Sequence, residues 1–196
     1  MTKSAQTFRT EMRQYRRALT TSEREYASAA ICSHILRSNL FMKACRIALF
    51  LPNDGEIDIS PVLNVAWQRR KQCFLPVLSD HGKKLFFAPM TPDSPLRDNH
   101  FGIPEPMAPK RAIHTPRQLD LVLTPLVAFD KLGNRIGMGG GYYDRSFGFL
   151  RRHQNWLQPR LIGIGFDFQC VRQLPSNPWD VPLTGAFTEQ GYYKLK

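Results

Sequence analysis

The run Asn134-Arg135-Ile136-Gly137-Met138-Gly139-Gly140-Gly141-Tyr142-Tyr143-Asp144-Arg145 places a guanidinium, a glycine cluster and a carboxylate within a short span. Glycines this dense carry a high backbone-entropy cost, which a fold accepts where it needs φ > 0 or a close backbone approach. Bare backbone N–H groups, extended by the unpaired N–H groups of a helix expected after Gly141, make a pocket for phosphate. Arg135 would neutralise phosphate charge, and Asp144 would hold a divalent cation through oxygen. These residue types at this spacing point to a nucleotide site.

The competing reading of the same residues is a glycine-rich turn with an exposed Arg and an Asp that complements a helix dipole. The generic nucleotide motifs do not apply. No Gly-Lys-Ser/Thr follows as in a Walker A loop, and Tyr142 stands where a dinucleotide fingerprint needs its last glycine.

Those residues must be carried by a fold, and 196 residues suit one domain spanning 1–196 with a real core. The hydrophobic share of 42% is ordinary for a globular protein. No segment reaches the roughly 20 apolar residues of a membrane span. The first residues, Met1 to Thr7, lack the apolar centre of a signal peptide. Cys32, Cys45, Cys73 and Cys170 are scattered, which fits reduced thiols in a cytoplasmic protein. His34, His81, His100, His114 and His153 show no zinc-ligand spacing. A net charge of +11 and a pI near 9.9 call for an anionic partner. Nucleic acid and a small polyanion both remain open at this point. The basic clusters Arg16-Arg17, Arg69-Arg70-Lys71 and Arg151-Arg152 come without a nucleic-acid motif, and each alone reads as solvated surface.

Along the chain, Phe8, Met12, Tyr15 and Leu19 at helical spacing predict a first helix, with Arg9, Arg13, Arg16 and Arg17 among its polar positions. Thr20-x-x-Glu23 predicts a capping box for a second helix, with Ala27, Ile31 and Ile35 inward and Asn39 near its end. Arg46 to Leu51 reads as a buried strand entering the turn-rich Pro52-Asn53-Asp54-Gly55-Glu56. Ser60-Pro61 predicts the start of a helix capped by Ser60, carrying Val62, Leu63, Val65, Ala66 and Trp67 inward. Further strands are expected at Cys73–Val77, Leu85–Ala88, Asp120–Pro125, Leu161–Gly165 and, as the last, Ala186–Thr188. The strand–helix–strand order is that of a parallel α/β sheet, whose ligands bind at the carboxyl ends of strands. The proline-rich stretch from Thr91 to Arg117 is expected to be an ordered excursion anchored by Phe101, Ile103 and Met107. The segment from Tyr142 to about Arg152 is expected to be helical, with Tyr143, Phe147 and Leu150 inward. On pattern alone Glu56 reads better as a surface turn acid than as an acceptor for a substrate's ring nitrogens, while Asp180 reads equally as a turn acid or a fixed site residue.

The run 134–145 resembles the signature of 5-formyltetrahydrofolate cyclo-ligases, also called methenyltetrahydrofolate synthetases. Further matches follow in the family's order: Arg9-x-x-x-Arg13-x-x-x-Arg17-x-Leu19, Phe50-Leu51-x-x-x-x-Glu56-Ile57, Leu123 to Asp130, and Trp179-Asp180-Val181-Pro182. The resemblance implies a three-layer α/β/α sandwich and an enzyme that uses ATP and Mg²⁺ to convert 5-formyltetrahydrofolate into 5,10-methenyltetrahydrofolate. It implies a phosphorylated formyl (imidate) intermediate, with ADP and phosphate as the other products. Positioning and charge neutralisation matter more to such phosphoryl transfer than a protein nucleophile does.

Carried over by position, the resemblance assigns ATP contacts to Arg9, Arg135, Ile136, Gly137, Met138, Gly139, Gly140, Gly141, Tyr142 and Tyr143, with Arg135 catalytic. It assigns folate contacts to Leu51, Glu56, Met138, Gly140 and Tyr142, and magnesium to Asp144 and Asp180. It implies a small-molecule partner, a folate with one or several glutamates, acted on by a monomer without nucleic acid or membrane. Two features depart from the pattern. Many relatives carry basic residues where Met138 and Gly140 stand here, so phosphate contact would rest on backbone N–H groups and Arg135. Many also carry a lysine near Ala5 or Gln6, for which Lys3 is the candidate substitute.

Overall fold

A computed structural model describes residues 3–79, 84–152 and 158–195. His81, His153 and the side chain of Arg152 lie outside the described residues. Six helices are described: α1 (Ala5–Ala18), α2 (Thr21–Arg37), α3 (Asn39–Lys43), α4 (Ser60–Gln68), α5 (Tyr142–Phe147) and α6 (Phe149–Arg152). The strands are β1 (Arg46–Ala48), β2 (Gln72–Leu78), β3 (Leu85–Pro89), β4 (Leu96–Asp98), β5 (Pro104–Pro106) and β6 (Leu121–Pro125). After these come β7 (Ala128–Asp130), β8 (Arg135–Ile136), β9 (Arg160–Ile164), β10 (Cys170–Val171), β11 (Gly185–Thr188) and β12 (Gly191–Lys194).

The main sheet has the order β12-β11-β9-β6-β1-β2-β3. Its pairings from β11 through β9, β6 and β1 to β2 are parallel, and both edges, β3 and β12, are antiparallel. Alternate side chains serve opposite faces, the period-two geometry of a strand. Ile47, Leu75, Leu121, Leu123 and Ile162 pack with Ile31, Ile35, Val62 and Ala66 of α2 and α4. Ala48, Phe74, Val122 and Leu161 face the other way, onto Phe147 and its neighbours from α5 and α6. The result is the expected α/β/α arrangement. Gly163 in β9 allows the packing, because a Cβ there would come within 2.8 Å of Leu183 Cδ1.

Beside the main sheet lies a small one of order β10-β7-β8, and α1 covers it through Phe8 and Met12 against Val127, Ala128 and Ile136. The third inward position of α1 is not the expected Tyr15, which is 56% exposed, but Arg16, at 1%. An ion pair with the loop after β1 overrides the hydrophobic pattern there.

Other expectations hold in outline and shift in detail. The Thr20–Glu23 capping box is present, with Glu23 N donating to Thr20 Oγ1 and Thr20 N to Glu23 Oε2. Helix α2 ends at Arg37, and Asn39 opens α3 instead of closing α2. Ile59, not Ser60, is the cap of α4, since Asp58 Oδ1 already accepts from Ser60 N at 2.8 Å. The helix after Gly141 breaks at Gly148 into two short pieces. The chain does not end its sheet at β11 but returns as β12 after Gly191, where φ is +136°.

The proline-rich excursion is ordered, though not by the residues expected. Phe101 and Met107 are each 54% exposed. The segment is held by polar contacts: Asn99 Oδ1 accepts from Phe101 N and Ile103 N, and Glu105 Oε1 accepts from Leu78 N. A backbone bridge between Phe87 and His114 ties its far end to the sheet.

Candidate active site

The order of the main sheet reverses at β1, so a crevice opens where β1 and β6 end side by side. A cavity of about 720 Å³ occupies it. Every residue assigned to the site on sequence lines this one cavity: Arg9, Leu51, Glu56, the whole run 135–144, and Asp180. They come from α1, the loops after β1 and β8, the start of α5, and the loop before β11.

The glycine loop is positioned by a hairpin whose turn is built on Asp130. That carboxylate is fully buried and meets four donors: Leu132 N, Asn134 N, Asn134 Nδ2 and Leu174 N. A buried carboxylate so fully hydrogen-bonded fixes the turn and sends Arg135 out on β8. Gly133, with φ +87°, lets Leu183 approach, because a Cβ at Gly133 would lie 2.8 Å from the Leu183 carbonyl. This contact brings the segment Trp179 to Val181 alongside Arg135.

Arg135 is nearly buried, its side chain 6% exposed. Its Nη2 donates to Asp144 Oδ1 at 2.7 Å, and its Nη1 donates to the Val181 carbonyl. Burial pushes its pKa below the ordinary guanidinium value, while Asp144, Tyr143 and Asp180 oppose that shift. Asp180 is itself held by Asn177 N, which donates to its Oδ2 at 2.7 Å. Two carboxylates therefore stand close to one guanidinium at the end of the loop.

The loop itself is bare backbone. Gly139 and Gly141 have φ of +100° and +63°. A Cβ on Gly140 would sit 2.6 Å from the Tyr142 ring, and one on Gly141 would sit 2.7 Å from Arg145 Nη1. Arg9 Nε donates to the Gly137 carbonyl at 2.9 Å, so α1 borders the loop directly. Ile136 turns its side chain into the core with Phe8 and Met12, leaving backbone as its contribution to the cavity. Lys3 does not take the place of the lysine expected near Ala5: it pairs with Glu11 at 2.7 Å. Helix α5 is only six residues long, so its dipole is small and the N–H groups of the glycine turn carry the anion-binding capacity.

Glu56 also lines the cavity, and its side chain is 12% exposed. Burial pushes its carboxyl up to about 7, against the field of Arg16 and a hydrogen bond from Asn53 N, while Asp54 adds to the rise. Asp54 anchors the same loop to α1 through Arg13 Nε at 2.7 Å, Arg16 Nη2 at 3.0 Å and Arg17 Nη2 at 2.6 Å. Burial raises its carboxyl, but these arginines outweigh burial and bring it to about 2. Tyr143 faces Glu56 and Arg135 from α5, and burial pushes its phenol up to about 12.

Sequence reasoning did not single out Asp54, nor Arg16 as an inward residue. The signal was present in Arg13, Arg16 and Arg17, whose i, i+3, i+4 spacing points three cations to one side of a helix.

The crevice thus joins a glycine cup to a largely buried carboxylate. A model of the 5-formyltetrahydrofolate cyclo-ligase family matches residues 1–189. The chain belongs to that family. The 5-formyltetrahydrofolate cyclo-ligase of Haemophilus influenzae is 40% identical over 185 residues, covering 93% of this chain and 96% of the relative. That of Escherichia coli K12 is 36% identical over 180 residues, covering 90% and 96%. Among solved structures, the 5,10-methenyltetrahydrofolate synthetase of Aquifex aeolicus superimposes with a TM-score of 0.80 at 29% identity, covering 98% of this chain and 93% of the other. A cyclo-ligase of this family closes a ring on 5-formyltetrahydrofolate to give 5,10-methenyltetrahydrofolate, and the chain is such an enzyme. No described helix is long and apolar enough to cross a membrane.

Proposed function

We propose that the ring closure is driven by ATP in the presence of Mg²⁺, with the triphosphate in the glycine cup and the reduced folate between Leu51 and Glu56. The observation that carries this reading is the cavity itself, whose lining combines a bare-backbone cup, a buried guanidinium, the carboxylates of Asp144 and Asp180, and the acid Glu56.

The residues fit the groups they would hold. A loop whose Gly140 and Gly141 have no room for a Cβ beside Tyr142 and Arg145 leaves its backbone N–H groups unshielded, which suits phosphate oxygens. A magnesium ion is commonly held by one or two carboxylates together with substrate phosphates, and Asp144 and Asp180 supply that number. The ion supplies neutralisation of phosphate charge. Arg135, fixed by Asp144 and Val181, supplies a second positive charge that needs no reorganisation as charge develops.

The formyl oxygen of 5-formyltetrahydrofolate attacks the γ-phosphorus, the bond to ADP breaks, and an N5 phosphoimidate forms. Nitrogen 10 then attacks the activated carbon, phosphate leaves with the former formyl oxygen, and nitrogen 10 loses its proton. Glu56 and Leu51 orient the pterin, Arg9 steadies the glycine cup, and Met138 and Tyr142 lie where nucleotide and folate meet. The net charge of +11 accords with two polyanionic substrates.

The test is to mix the protein with 5-formyltetrahydrofolate carrying ¹⁸O in its formyl group and follow both the methenyl chromophore and the phosphate. The reading requires the chromophore to depend on ATP and Mg²⁺ and the label to appear in inorganic phosphate. Label released to water beside unlabelled phosphate would exclude the imidate.

A further inference from the structure

Helix α1 brings a second charged group beneath the folate end of the cavity. Arg16 is 1% exposed, with Nη2 3.0 Å from Asp54 Oδ2 and Nη1 3.8 Å from Glu56 Oε1. Its Nε is buried without a hydrogen-bond partner among the described residues. Dehydrating a guanidinium costs several kcal/mol, and an apolar residue of similar volume often serves a core as well or better. Anchoring Asp54 does not by itself account for a buried charge, because Arg13 and Arg17 already hold that carboxylate through 2.7 and 2.6 Å contacts from the surface. What distinguishes Arg16 is its second branch, toward Glu56.

We infer that Arg16 is a positioning residue for the folate, holding Glu56 in its charged form and aimed into the cavity so that it accepts the N–H donors of the pterin. The inference rests on the assignment of Glu56 as a pterin contact made above. The groups acting on Glu56 are Arg16 from α1, Asp54 and the Asn53 N–H from its own loop, and Tyr143 from α5. Arg16 is the cation among them. Asp54 opposes ionisation of Glu56, and Tyr143 keeps its proton to about pH 12. With Arg16 opposing burial, the Glu56 carboxyl stands at about 7, so losing the field of Arg16 would leave less carboxylate at neutral pH. Protonated, Glu56 would present a donor to the ring's donors.

The experiment uses the full-length enzyme with the variants Arg16→Met, Arg16→Lys, Asp54→Asn and Glu56→Gln, measuring kcat and both KM values from pH 5.5 to 9. Arg16→Met should raise the KM for 5-formyltetrahydrofolate by about tenfold or more at pH 7, leaving the KM for ATP and kcat within about threefold. The acid limb of kcat/KM for the folate should move up by about one pH unit, and Arg16→Lys should bring it part of the way back. Asp54→Asn removes the opposing charge but keeps an amide oxygen that can accept from Arg16 Nη2, so its limb should move to lower pH. That opposite sign keeps the test decisive should Arg16→Met fold poorly. An unmoved limb in both variants, or an equal rise in both KM values in Arg16→Met, would overturn the inference. Glu56→Gln separates the two claims. If it leaves the folate KM unchanged, the Glu56 assignment itself is wrong; if it raises that KM while Arg16→Met does not, only the role of Arg16 falls.

Discussion

Asp144 Oδ1 accepts two hydrogen bonds at once, from Arg135 Nη2 at 2.7 Å and from Val181 N at 3.0 Å. One oxygen thus joins the cation of the glycine loop to the segment that carries Asp180. The carboxylate that would bind a metal is also the clamp that keeps Arg135 in place.

Replacing Asp144 by Ala should therefore do more than remove a ligand. Magnesium-dependent formation of the methenyl product should fall by about two orders of magnitude or more. Arg135 keeps its bond to the Val181 carbonyl, so the loss of stability should be about 1–3 kcal/mol and the fold should persist. Turnover assays with thermal melts check both parts; full activity in the variant would remove Asp144 from the site.

Gly139 and Gly141 adopt positive φ, and the space a Cβ would take at Gly139 ends 3.5 Å from the Arg9 guanidinium. Gly139→Ala should strain the loop by about 1 kcal/mol or more and lower kcat/KM for ATP by about tenfold. Its KM for 5-formyltetrahydrofolate should change little. Steady-state kinetics with each substrate varied in turn will show whether the loss falls on the nucleotide side.

Stability should depend on pH through two carboxylates of one loop, in opposite directions. Asp54 lies at about 2, below its ordinary 3.8, so its contribution is present above pH 3.8 and is lost as pH falls toward 2. Glu56 lies at about 7, above its ordinary 4.5, so the folded state binds the extra proton and stability declines as pH rises from 4.5 to 7. Glu56→Gln should flatten the second slope, and Asp54→Asn the first. Melting temperatures measured at intervals from pH 2.5 to 8 test both signs.

Thr20 does not line the cavity, and Thr20→Ala should cost about 1 kcal/mol of stability through loss of the α2 capping box. Its kcat and KM values should stay at those of the unaltered enzyme. This variant shows how much stability can be lost before activity responds.

Much of this architecture could be read from residue types. The apolar run Leu121-Val122-Leu123, the capping box at Thr20 and the glycine run each carry local signals, and each led to the element found. What could not be read depended on partners remote in sequence. Tyr15 and Arg16 exchange places relative to the hydrophobic pattern because two acids across the fold, Asp54 and Glu56, meet the arginine inside. Phe101 was expected to anchor its segment and instead lies half exposed at the cavity, because Asn99 and Glu105 hold that segment by hydrogen bonds. Lys3 is drawn to Glu11, eight residues along the same end of the chain, in a surface pair that its own position does not announce. For the site, sequence supplied the residues and the fold supplied their grouping, since Arg9, Glu56 and Asp180 share no local pattern.

The most direct measurement is a crystal structure with a non-hydrolysable ATP analogue, Mg²⁺ and 5-formyltetrahydrofolate. The account predicts terminal phosphate oxygens on the N–H groups of Gly139 to Gly141 and on Arg135, the ion between phosphate and the carboxylates of Asp144 and Asp180, and the pterin against Glu56. A triphosphate bound elsewhere, with the glycine loop vacant and Arg135 still closed on Asp144, would contradict it.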